Sequence, residues 1–279
     1  MNIIGLGHAG CEIASNFQNY DNYKTFFIDC ENPKKRKNFF KVKQQSSHED
    51  YEKNYKNINF SKIEGESTII LTGCGKISGI TLRLLEQLKH LKLTILYVKP
   101  DLSTSDDLTK TRHKIVFGIL QEYARSNLLS EMIIFSNEKV EKIIDGVSIA
   151  TYWQDINNVI SSTYNMLLYF RKTEPLLDSL SNKAVTCKVA SPGIVNYSTF
   201  SEELLYELEK PRHKKYFFCL SEQTLQSKKT LLTDIRTYVK QQANENCNSC
   251  FAIYSSTYDQ DYVYTLHYAS LLQEQNLDL

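Results

Sequence analysis

The sequence lacks the features that mark membrane-spanning, secreted and nucleic-acid-binding chains. No apolar run in its 279 residues approaches the roughly 20 needed to cross a bilayer. Its start, MNIIGLGHAG, has no basic segment of the kind that opens a signal peptide. The 33 basic and 32 acidic side chains leave a net charge of +1, so charge attracts neither nucleic acid nor an anionic membrane. These absences predict a cytoplasmic protein with no nucleic-acid or membrane partner.

Cysteine is present without the order of a disulfide framework or a metal site. The seven cysteines are an odd number scattered over apparent strands, which fits a reducing compartment. Cys247 and Cys250 form a CxxC pair, but no second pair and no histidine pair lie at a zinc spacing. We therefore interpret this stretch as a turn before a strand and expect no metal ligand in it.

The first half of the chain alternates apolar, β-branched runs with helical patterns. Such alternation predicts a parallel sheet covered on both faces. Residues 31–60 are charged and polar, and predict a poorly buried connection with one surface helix, in which the basic run Lys34–Lys37 is a solvated face. The predicted strands of this half are residues 2–6, 23–29, 93–98 and 132–135, and the run that starts at Ser67.

A long helical pattern, from about Thr151 to Arg171, separates this half from the rest. Beyond it strands predominate, which indicates a second, α+β domain. The chain is therefore predicted to be an α/β protein: a parallel-sheet, Rossmann-like domain over residues 1–150, a central helix over 151–172 and an α+β domain over 173–279. In the last of these, strands are predicted at 185–189, 194–195, 216–220, 249–254 and 263–268, and helices near 201–208 and 224–244.

Four loops fall at the carboxyl ends of predicted parallel strands, where such sheets bind ligands. They read GLGHAG, TGCGKISG, KPDLSTSDD and SNEK. Glycines let the backbone approach an anion closely, and a helix N-terminus offers free N–H groups and a positive dipole end. GLGHAG also matches the G-x-G-x-x-G dinucleotide fingerprint, with Asp29 where a ribose-binding acid would lie. A nicotinamide-dependent oxidoreductase is therefore one interpretation.

The order and spacing of the motifs along nearly the whole chain resemble the tubulin/FtsZ superfamily. GLGHAGCEIASNF resembles the family's first nucleotide loop, and Gly73–Gly79 aligns without gaps with its signature G-G-G-T-G-[ST]-G. SNEKV at 136–140 resembles the FtsZ motif P-N-D-[KR]-L, and the stretch from Trp153 to Val159 resembles the base-reading motif. Residues 216–270 follow the strand–helix–strand–strand order of the activation domain. The resemblance implies the tubulin/FtsZ fold.

The resemblance also implies a guanine-nucleotide site, with GTP or GDP as the ligand and Mg²⁺ as its candidate companion. In the family an aromatic ring stacks on the base, a role that falls to Trp153, and the guanine edge is left to Asn137 and Asn157. Lys76 replaces the signature's Thr and either offsets phosphate charge or points to solvent. The remaining phosphate contacts implied are backbone contacts, by Gly7, Gly10, Cys11, Gly73, Gly75 and Gly79.

Each of these residues also has a purely structural interpretation. The glycines could serve only tight turns, Trp153 could be a core aromatic, and the asparagines could be a helix cap and a solvated amide. Asn158 stands where FtsZ has Asp, and an amide offers guanine one acceptor and one unwanted donor instead of two acceptors. Selectivity for guanine is thus an open question at the level of the sequence.

Three departures from the family pattern argue against hydrolysis. In the family, a loop after the long helix brings carboxylates onto the nucleotide of the neighbouring subunit; counting from Asn157, the two acidic positions hold Leu180 and Lys183, which cannot activate water. The nearest carboxylates, on Glu174 and Asp178, are interpreted as surface groups. Residues 44–50, QQSSHED, lack the glycines of the loop that senses the γ-phosphate. Ile77 fills the middle glycine position of the signature, where a β-branched side chain resists a left-handed backbone. We expect weak or absent GTP hydrolysis and assign no catalytic residue.

Two further hypotheses follow from the resemblance. The first is a divergent, phage- or plasmid-encoded protein that binds guanine nucleotide and self-associates into filaments. The second is a structural or regulatory protein that has kept the fold without polymerising or binding nucleotide, and that acts on a host division or cytoskeletal protein.

Overall fold

The chain is described by a computed structural model that covers residues 1–273 except Asp145, Val147 and Tyr258. These residues divide into two units, Met1–Ser161 and the part from Ser162 onward. The domain boundaries predicted after residues 150 and 172 stay predictions, because one helix runs through the division between the units. None of the helices in the described part of the chain combines the length and apolar character that a membrane crossing requires.

The first unit is built on a parallel sheet, as predicted. Its strands lie in the order β3-β2-β1-β4-β5-β6, and each neighbouring pair is parallel. Most strand residues are buried, which is typical of a parallel sheet. In chain order the strands are β1 (Asn2–Leu6), β2 (Lys24–Asp29), β3 (Phe39–Lys41), β4 (Glu66–Leu71), β5 (Lys92–Lys99) and β6 (Glu131–Ser136).

In the first unit, helices follow strands along the chain. α4 begins at Asp107, because the carboxylate of Asp106 accepts a hydrogen bond from the Thr109 N–H at 2.7 Å and caps the helix. The helices are α1 (Gly7–Asn16), α2 (His48–Lys53), α3 (Thr81–Leu88), α4 (Asp107–Arg125), α5 (Asn137–Ile143) and the long α6 (Tyr152–Lys172), which continues into the second unit.

Residues 31–60 form a poorly buried connection with one short helix, as predicted, but one of their basic side chains is buried. They contribute β3 and α2, and their basic run folds back onto α1. The Arg36 side chain is 4% exposed and donates to Glu12 at 2.6 Å and to Ser15 at 2.9 Å, while Lys34 pairs with the other oxygen of Glu12. The prediction of a solvated basic face is therefore wrong for Arg36, because the carboxylate of Glu12 compensates its buried charge.

The second unit carries a mixed sheet in the order β8-β12-β10-β11-β7, with β9 paired to β8. The central β10 and β11 are parallel and the other pairs are antiparallel. One face packs against α8 through Tyr216, Phe218 and Ile235. The elements after α6 are β7 (Leu177–Asp178), β8 (Val189–Val195), β9 (Glu202–Leu204), β10 (His213–Ser221), α7 (Glu222–Ser227), α8 (Leu231–Gln241), β11 (Asn248–Ser256) and β12 (Tyr262–Ala269).

The helix predicted near residues 201–208 is wrong, since the chain forms strand β9 there. The side chain of Asn196 accepts hydrogen bonds from the N–H groups of Ser198 and Thr199 at 2.9 and 3.1 Å, and Phe200 takes a positive φ of 56°. This turn reverses the chain, so β9 pairs antiparallel with β8. Turn chemistry at one asparagine therefore outweighs the helical spacing of the leucines that follow.

Two other predictions in this unit need smaller corrections. The helix predicted over 224–244 is two helices, because Lys228 leaves the helical conformation and pairs with Asp234 at 3.2 Å. The strand predicted over 185–189 begins only at Val189. The CxxC segment is a turn before a strand, as predicted: Cys247 closes a turn with Asn244, and β11 follows.

Candidate functional site

The carboxyl ends of β1, β4, β5 and β6 lie along one edge of the parallel sheet, and each is followed by one of the four segments singled out in the sequence. The first two of these segments are in contact, since a Cβ built on Gly7 would lie 2.9 Å from Ile77 Cγ2. The Tyr152 hydroxyl at the start of α6 donates to Glu141 of α5 at 2.8 Å. The candidate residues from Gly7 to Asn157 all belong to the first unit.

The first loop is shorter than predicted, because α1 begins directly after β1. Gly7 is the first helical residue and has a φ of +70°, a conformation that favours glycine. The N–H groups in the first turn of a helix have no partner within it, so Gly7, His8 and Ala9 present free donors at this edge. They also lie at the positive end of the helix dipole, which makes this turn suited to an anion.

Gly10 and Cys11 lie one turn further along α1, where helical N–H groups bond to carbonyls of the preceding turn. The Cys11 thiol is buried within 3.4 Å of the Gly5 carbonyl and 3.7 Å of the Ile28 carbonyl, and burial raises its pKa to about 12. Its side chain thus packs on the sheet. The phosphate contact predicted for these two residues stays a prediction. The free donors of His8 and Ala9 were not among the candidates, because the sequence analysis took GLGHAG as a loop and α1 begins within it.

The second loop ends in a short 3₁₀ helix, Lys76–Ile80. The Ser78 hydroxyl lies within hydrogen-bond distance of the carbonyls of Gly73 and Gly75, at 3.0 and 2.7 Å. Lys76 and Gly75 are exposed. Because Ile77 lies inside a right-handed turn, the strain expected from its β-branched side chain does not arise.

Three of the candidate glycines are sites of close packing. A Cβ on Gly10, Gly73 or Gly79 would lie 2.3 Å from the Ile70 carbonyl, 2.3 Å from the Tyr97 hydroxyl and 2.1 Å from the His48 carbonyl, respectively. Packing alone therefore requires glycine at these positions, whether or not a ligand binds. Gly75 has open space around it and a φ of −70°, so neither sterics nor backbone conformation explains the glycine there.

A buried pair supports the second loop from below. The Tyr97 hydroxyl lies 2.6 Å from His113 Nδ1, directly under Gly73, while His113 Nε2 is buried without a hydrogen-bond partner. Burial, with the charge of Lys99 as a smaller cause, lowers the pKa of His113 to about 4, so its ring is neutral. This pair was not singled out in the sequence, where Tyr97 reads as an ordinary strand residue.

Asn137 is the candidate residue of the SNEK segment. It follows the last residue of β6 and is the first residue of α5. The residue is 8% exposed, and its Oδ1 is buried with no hydrogen-bond partner. A buried acceptor without a partner costs about 1–3 kcal/mol. Such an atom points to a missing donor at this edge.

The residues predicted on α6 are placed differently from one another. Trp153 is 63% exposed and packs edge-on against Tyr152 with ring centroids 4.9 Å apart, so it is not a core aromatic. Asn157 is half-buried one turn later. The Asn158 side chain accepts from Asn16 at 3.1 Å, at the end of α1 that is about 14 Å from Gly7. Asn158 is thereby held by α1, away from the glycine loops.

Asp29, the candidate ribose-binding acid, is held by its own backbone. Its carboxylate accepts from the Cys30 N–H at 2.8 Å, and burial raises its pKa while the neighbouring His8 and Arg36 oppose that shift. Glu12, beside it, is already paired with Lys34 and Arg36.

A nucleotide fits one part of this edge better than the other. The exposed ring of Trp153 and the unpartnered oxygen of Asn137 offer a flat face and an acceptor for a base, and α1 offers N–H donors for one anionic group. Between the glycine loops, however, a methyl group of Ile77 occupies the space beside Gly7. Among the described residues, no group of three or more His, Cys, Asp or Glu side chains is arranged to hold a metal ion.

The segment after α6 lies along the sheet of the second unit. β7 adds to the edge of β11, with the Ser179 N–H donating to the Phe251 carbonyl at 2.9 Å. The Lys183 ammonium donates to the Cys187 carbonyl at 2.6 Å and lies 4.0 Å from the ring centroid of Tyr268. Leu180 is partly exposed, and the Asp178 carboxylate accepts from the Leu180 N–H at 3.1 Å.

Comparisons with solved structures identify the fold, whereas no protein-family model and no curated protein matches the sequence. An FtsZ from M. jannaschii matches 100% of this chain and 93% of its own, with a TM-score of 0.67 at 11% identity. TubZ from Bacillus thuringiensis serovar israelensis, in a GTPγS-form protofilament, matches 96% and 87% with a TM-score of 0.67 at 13% identity. CetZ1 from Haloferax volcanii, a GDP-bound monomer, matches 99% and 94% with a TM-score of 0.66 at 13% identity. The parallel sheet, the long α6 and the mixed sheet after it are thus the tubulin/FtsZ fold, and this chain has that fold.

Proposed function

We propose that this chain is a tubulin/FtsZ-like protein that binds a guanine nucleotide, self-associates into filaments and hydrolyses GTP weakly or not at all. The observation that carries the proposal is the buried, unpartnered Oδ1 of Asn137 at the carboxyl edge of the sheet. Its position on the loop that resembles the FtsZ P-N-D-[KR]-L motif makes a guanine or ribose donor the simplest partner. The proposal also includes the other candidate residues, which are Gly7, Gly10, Cys11, Gly73, Gly75, Lys76, Gly79, Trp153 and Asn157.

The structural relatives support the filament part of the proposal. Two of the TubZ structures are protofilaments in a GTPγS form and a GDP form, and CetZ1 is described as GDP-bound. This chain shares their fold over nearly its whole length. Self-association through stacked copies is therefore the natural assembly for it.

Weak or absent hydrolysis is proposed from the segment after α6. Leucine offers no group that could polarise water, and the ammonium of Lys183 is already committed to the Cys187 carbonyl and the Tyr268 ring. Asp178 is exposed and bonded to its own turn. A neighbouring copy would therefore receive no water-activating carboxylate from these residues.

Trp153 makes the binding part directly testable. As the only tryptophan, it alone supplies the tryptophan fluorescence of the protein, and a purine stacked on its exposed ring would quench it. We expect saturable quenching by GDP and GTP, little quenching by NAD, and loss of GDP binding in W153A by calorimetry but retention in W153F. A thermal-shift titration supplies the second readout, since a ligand at 100 times its dissociation constant stabilises by ~2.7 kcal/mol. Stabilisation by NAD alone would support the oxidoreductase interpretation instead.

Negative-stain microscopy and light scattering test the filament part. We expect scattering to rise with protein concentration and fibrous assemblies to form with nucleotide present. A strictly monodisperse monomer under all conditions would remove the filament part of the proposal. The second candidate, a non-polymerising protein that no longer binds nucleotide, is favoured by the side chain of Ile77 beside Gly7.

A further inference from the structure

We propose that Ile77 closes the phosphate cleft between the two glycine loops, so that the site binds guanine nucleotides irrespective of how many phosphates they carry. This inference rests on the proposed nucleotide binding and names the specificity-determining residue of that site. It predicts a ligand held by its base and by one anionic group at α1.

The contact that carries the inference joins the two loops. A Cβ built on Gly7 would lie only 2.9 Å from Ile77 Cγ2, and one built on Gly75 would lie 3.9 Å from the same atom. The methyl group therefore packs directly against the α-carbon of Gly7, at the start of α1. Ile77 is half-buried, whereas Lys76 and Gly75 beside it are exposed.

A methyl group in this position competes with a phosphate group. A phosphate oxygen shared by both loops must approach N–H groups on each of them to about 2.9 Å. Glycine leaves that space open and polar, but Ile77 Cγ2 fills it with an apolar group. An anion pressed against the methyl group would lose its hydration without gaining a donor there, which is unfavourable.

Hydrogen bonds and one close contact fix the backbone of the turn that carries Ile77. The Ser78 hydroxyl bonds to the carbonyls on the N-terminal side of the turn, and the Thr81 hydroxyl donates to the Ser78 carbonyl at 2.6 Å. Gly79 packs against the carbonyl of His48 at the start of α2. The backbone of the turn is therefore fixed at both ends.

What remains open to a nucleotide lies on either side of Ile77. The free N–H groups of Gly7, His8 and Ala9 can still donate hydrogen bonds to one anionic group at the positive end of α1. The unpartnered oxygen of Asn137 remains available to the base or ribose. Terminal phosphates then extend into solvent, so GMP, GDP and GTP gain the same contacts.

The test compares phosphate dependence in the full-length wild type and in variants at position 77. Calorimetric titrations with GMP, GDP and GTP are carried out on wild type, I77A, I77G and the control C74A, which shortens another half-buried side chain of the same loop. Wild type and C74A are expected to bind the three nucleotides with affinities within about threefold of one another. I77G is expected to bind GDP and GTP at least about tenfold more tightly than GMP, because the reopened cleft allows one charge-assisted hydrogen bond to the additional phosphates.

The outcomes separate this inference from the proposed function. If wild type already prefers GTP to GMP about tenfold, or if I77A and I77G gain no preference while melting cooperatively, the inference is overturned and nucleotide binding stands. If wild type binds no nucleotide and I77G binds GDP, nucleotide binding by the wild type and its indifference to phosphate number both fail, and only the closure of the cleft by Ile77 stands. If neither wild type nor any variant binds a nucleotide, both fail. I77A keeps the test valid should I77G not fold.

Discussion

At the scale of single residues, Asn137 and Ile77 act on opposite parts of the candidate site. Asn137 leaves a buried acceptor without a partner, which a ligand donor would satisfy, whereas Ile77 places a methyl group where a phosphate would lie. Neither effect was visible from the residue type alone. The asparagine was a candidate from its motif, but its unpartnered state depends on how β6 and α5 bury it.

Replacing Asn137 by leucine is expected to weaken GDP binding about tenfold, because one hydrogen bond to the ligand is lost. It should leave the midpoint of chemical denaturation unchanged or raised, because the buried unpartnered acceptor is removed. The matched control is N2L: the Asn2 amide donates to Glu64 at 2.7 Å and to Ser67 at 3.0 Å, so that variant should lose stability. Equal destabilisation by both substitutions would show that Oδ1 of Asn137 has a protein partner after all.

His113 makes the stability of the protein depend on pH. Burial lowers the pKa of His113 to about 4, below the ordinary value of 6.5. Between pH 6.5 and 4 the unfolded chain therefore binds a proton at this residue, whereas the folded protein does not. The free energy of unfolding therefore falls as the pH falls through this window and is unaffected by His113 above it. His213, whose pKa is also lowered to about 4 by burial, adds a second contribution of the same sign.

Removing the titratable ring isolates the share of His113. In H113Q, the fall in unfolding free energy from pH 7.5 to pH 5 should be ~2 kcal/mol smaller than in wild type, measured by urea denaturation at each pH. The comparison uses the change with pH, because the loss of ring contacts with Tyr97 and Phe117 lowers stability at every pH. H90Q, the same substitution at an exposed position, is the control. An H113Q curve parallel to that of wild type would mean that burial does not lower the pKa of His113 in the folded protein.

At the scale of secondary-structure elements, hydrophobic periodicity predicts those elements whose conformation depends on the sequence of the segment itself. The strands β1, β2, β4, β5 and β6 and the helix α6 have apolar patterns and form where the sequence predicts them. The three-residue β3, in contrast, lies in a segment that was predicted to be a connection. The stretch at 201–208 has the spacing of a helix but becomes β9, because the side chain of Asn196 turns the chain back on β8. Likewise, the reason for glycine at Gly10, Gly73 and Gly79 lies in Ile70, Tyr97 and His48, which only the fold brings close.

The segment after α6 shows why restoring residue types need not restore chemistry. The double variant L180D/K183D recreates the two acidic positions, yet phosphate release from GTP is expected to stay at the level of wild type. The surrounding chain is bound to the edge of β11 through the Leu176 and Ser179 N–H groups, and Ile77 remains in the cleft. The loss of the Lys183 contacts with Cys187 and Tyr268 should lower the unfolding free energy by ~1–2 kcal/mol. An increase in turnover of about tenfold would show that the acids alone were missing.

At the scale of the whole molecule, the fold is retained where the identity to solved relatives is only 11–14%. What persists is the order of elements and the apolar pattern of the strands, which the core requires. Among the positions that the family resemblance assigns to the triphosphate or to water activation, those held by Ile77, Leu180 and Lys183 depart from the family pattern. A chain that keeps its scaffold and loses these groups is expected to keep assembly and lose the coupling of assembly to hydrolysis.

The assembled state should therefore be indifferent to the nucleotide phosphates. Light scattering of the full-length protein with GMP, GDP or GTP is expected to reach the same plateau, and filaments formed with GTP should persist after the time in which a turning-over polymer would exhaust its substrate. The physical reason is that a ligand shifts an equilibrium only through differential contacts, and the terminal phosphates make none when Ile77 fills the cleft. I77G supplies the comparison, since reopening the cleft should make the plateau with GTP differ from that with GMP. Assembly of wild type with GTP followed by spontaneous disassembly would instead mean that hydrolysis occurs and that a water-activating group enters from residues other than Leu180 and Lys183.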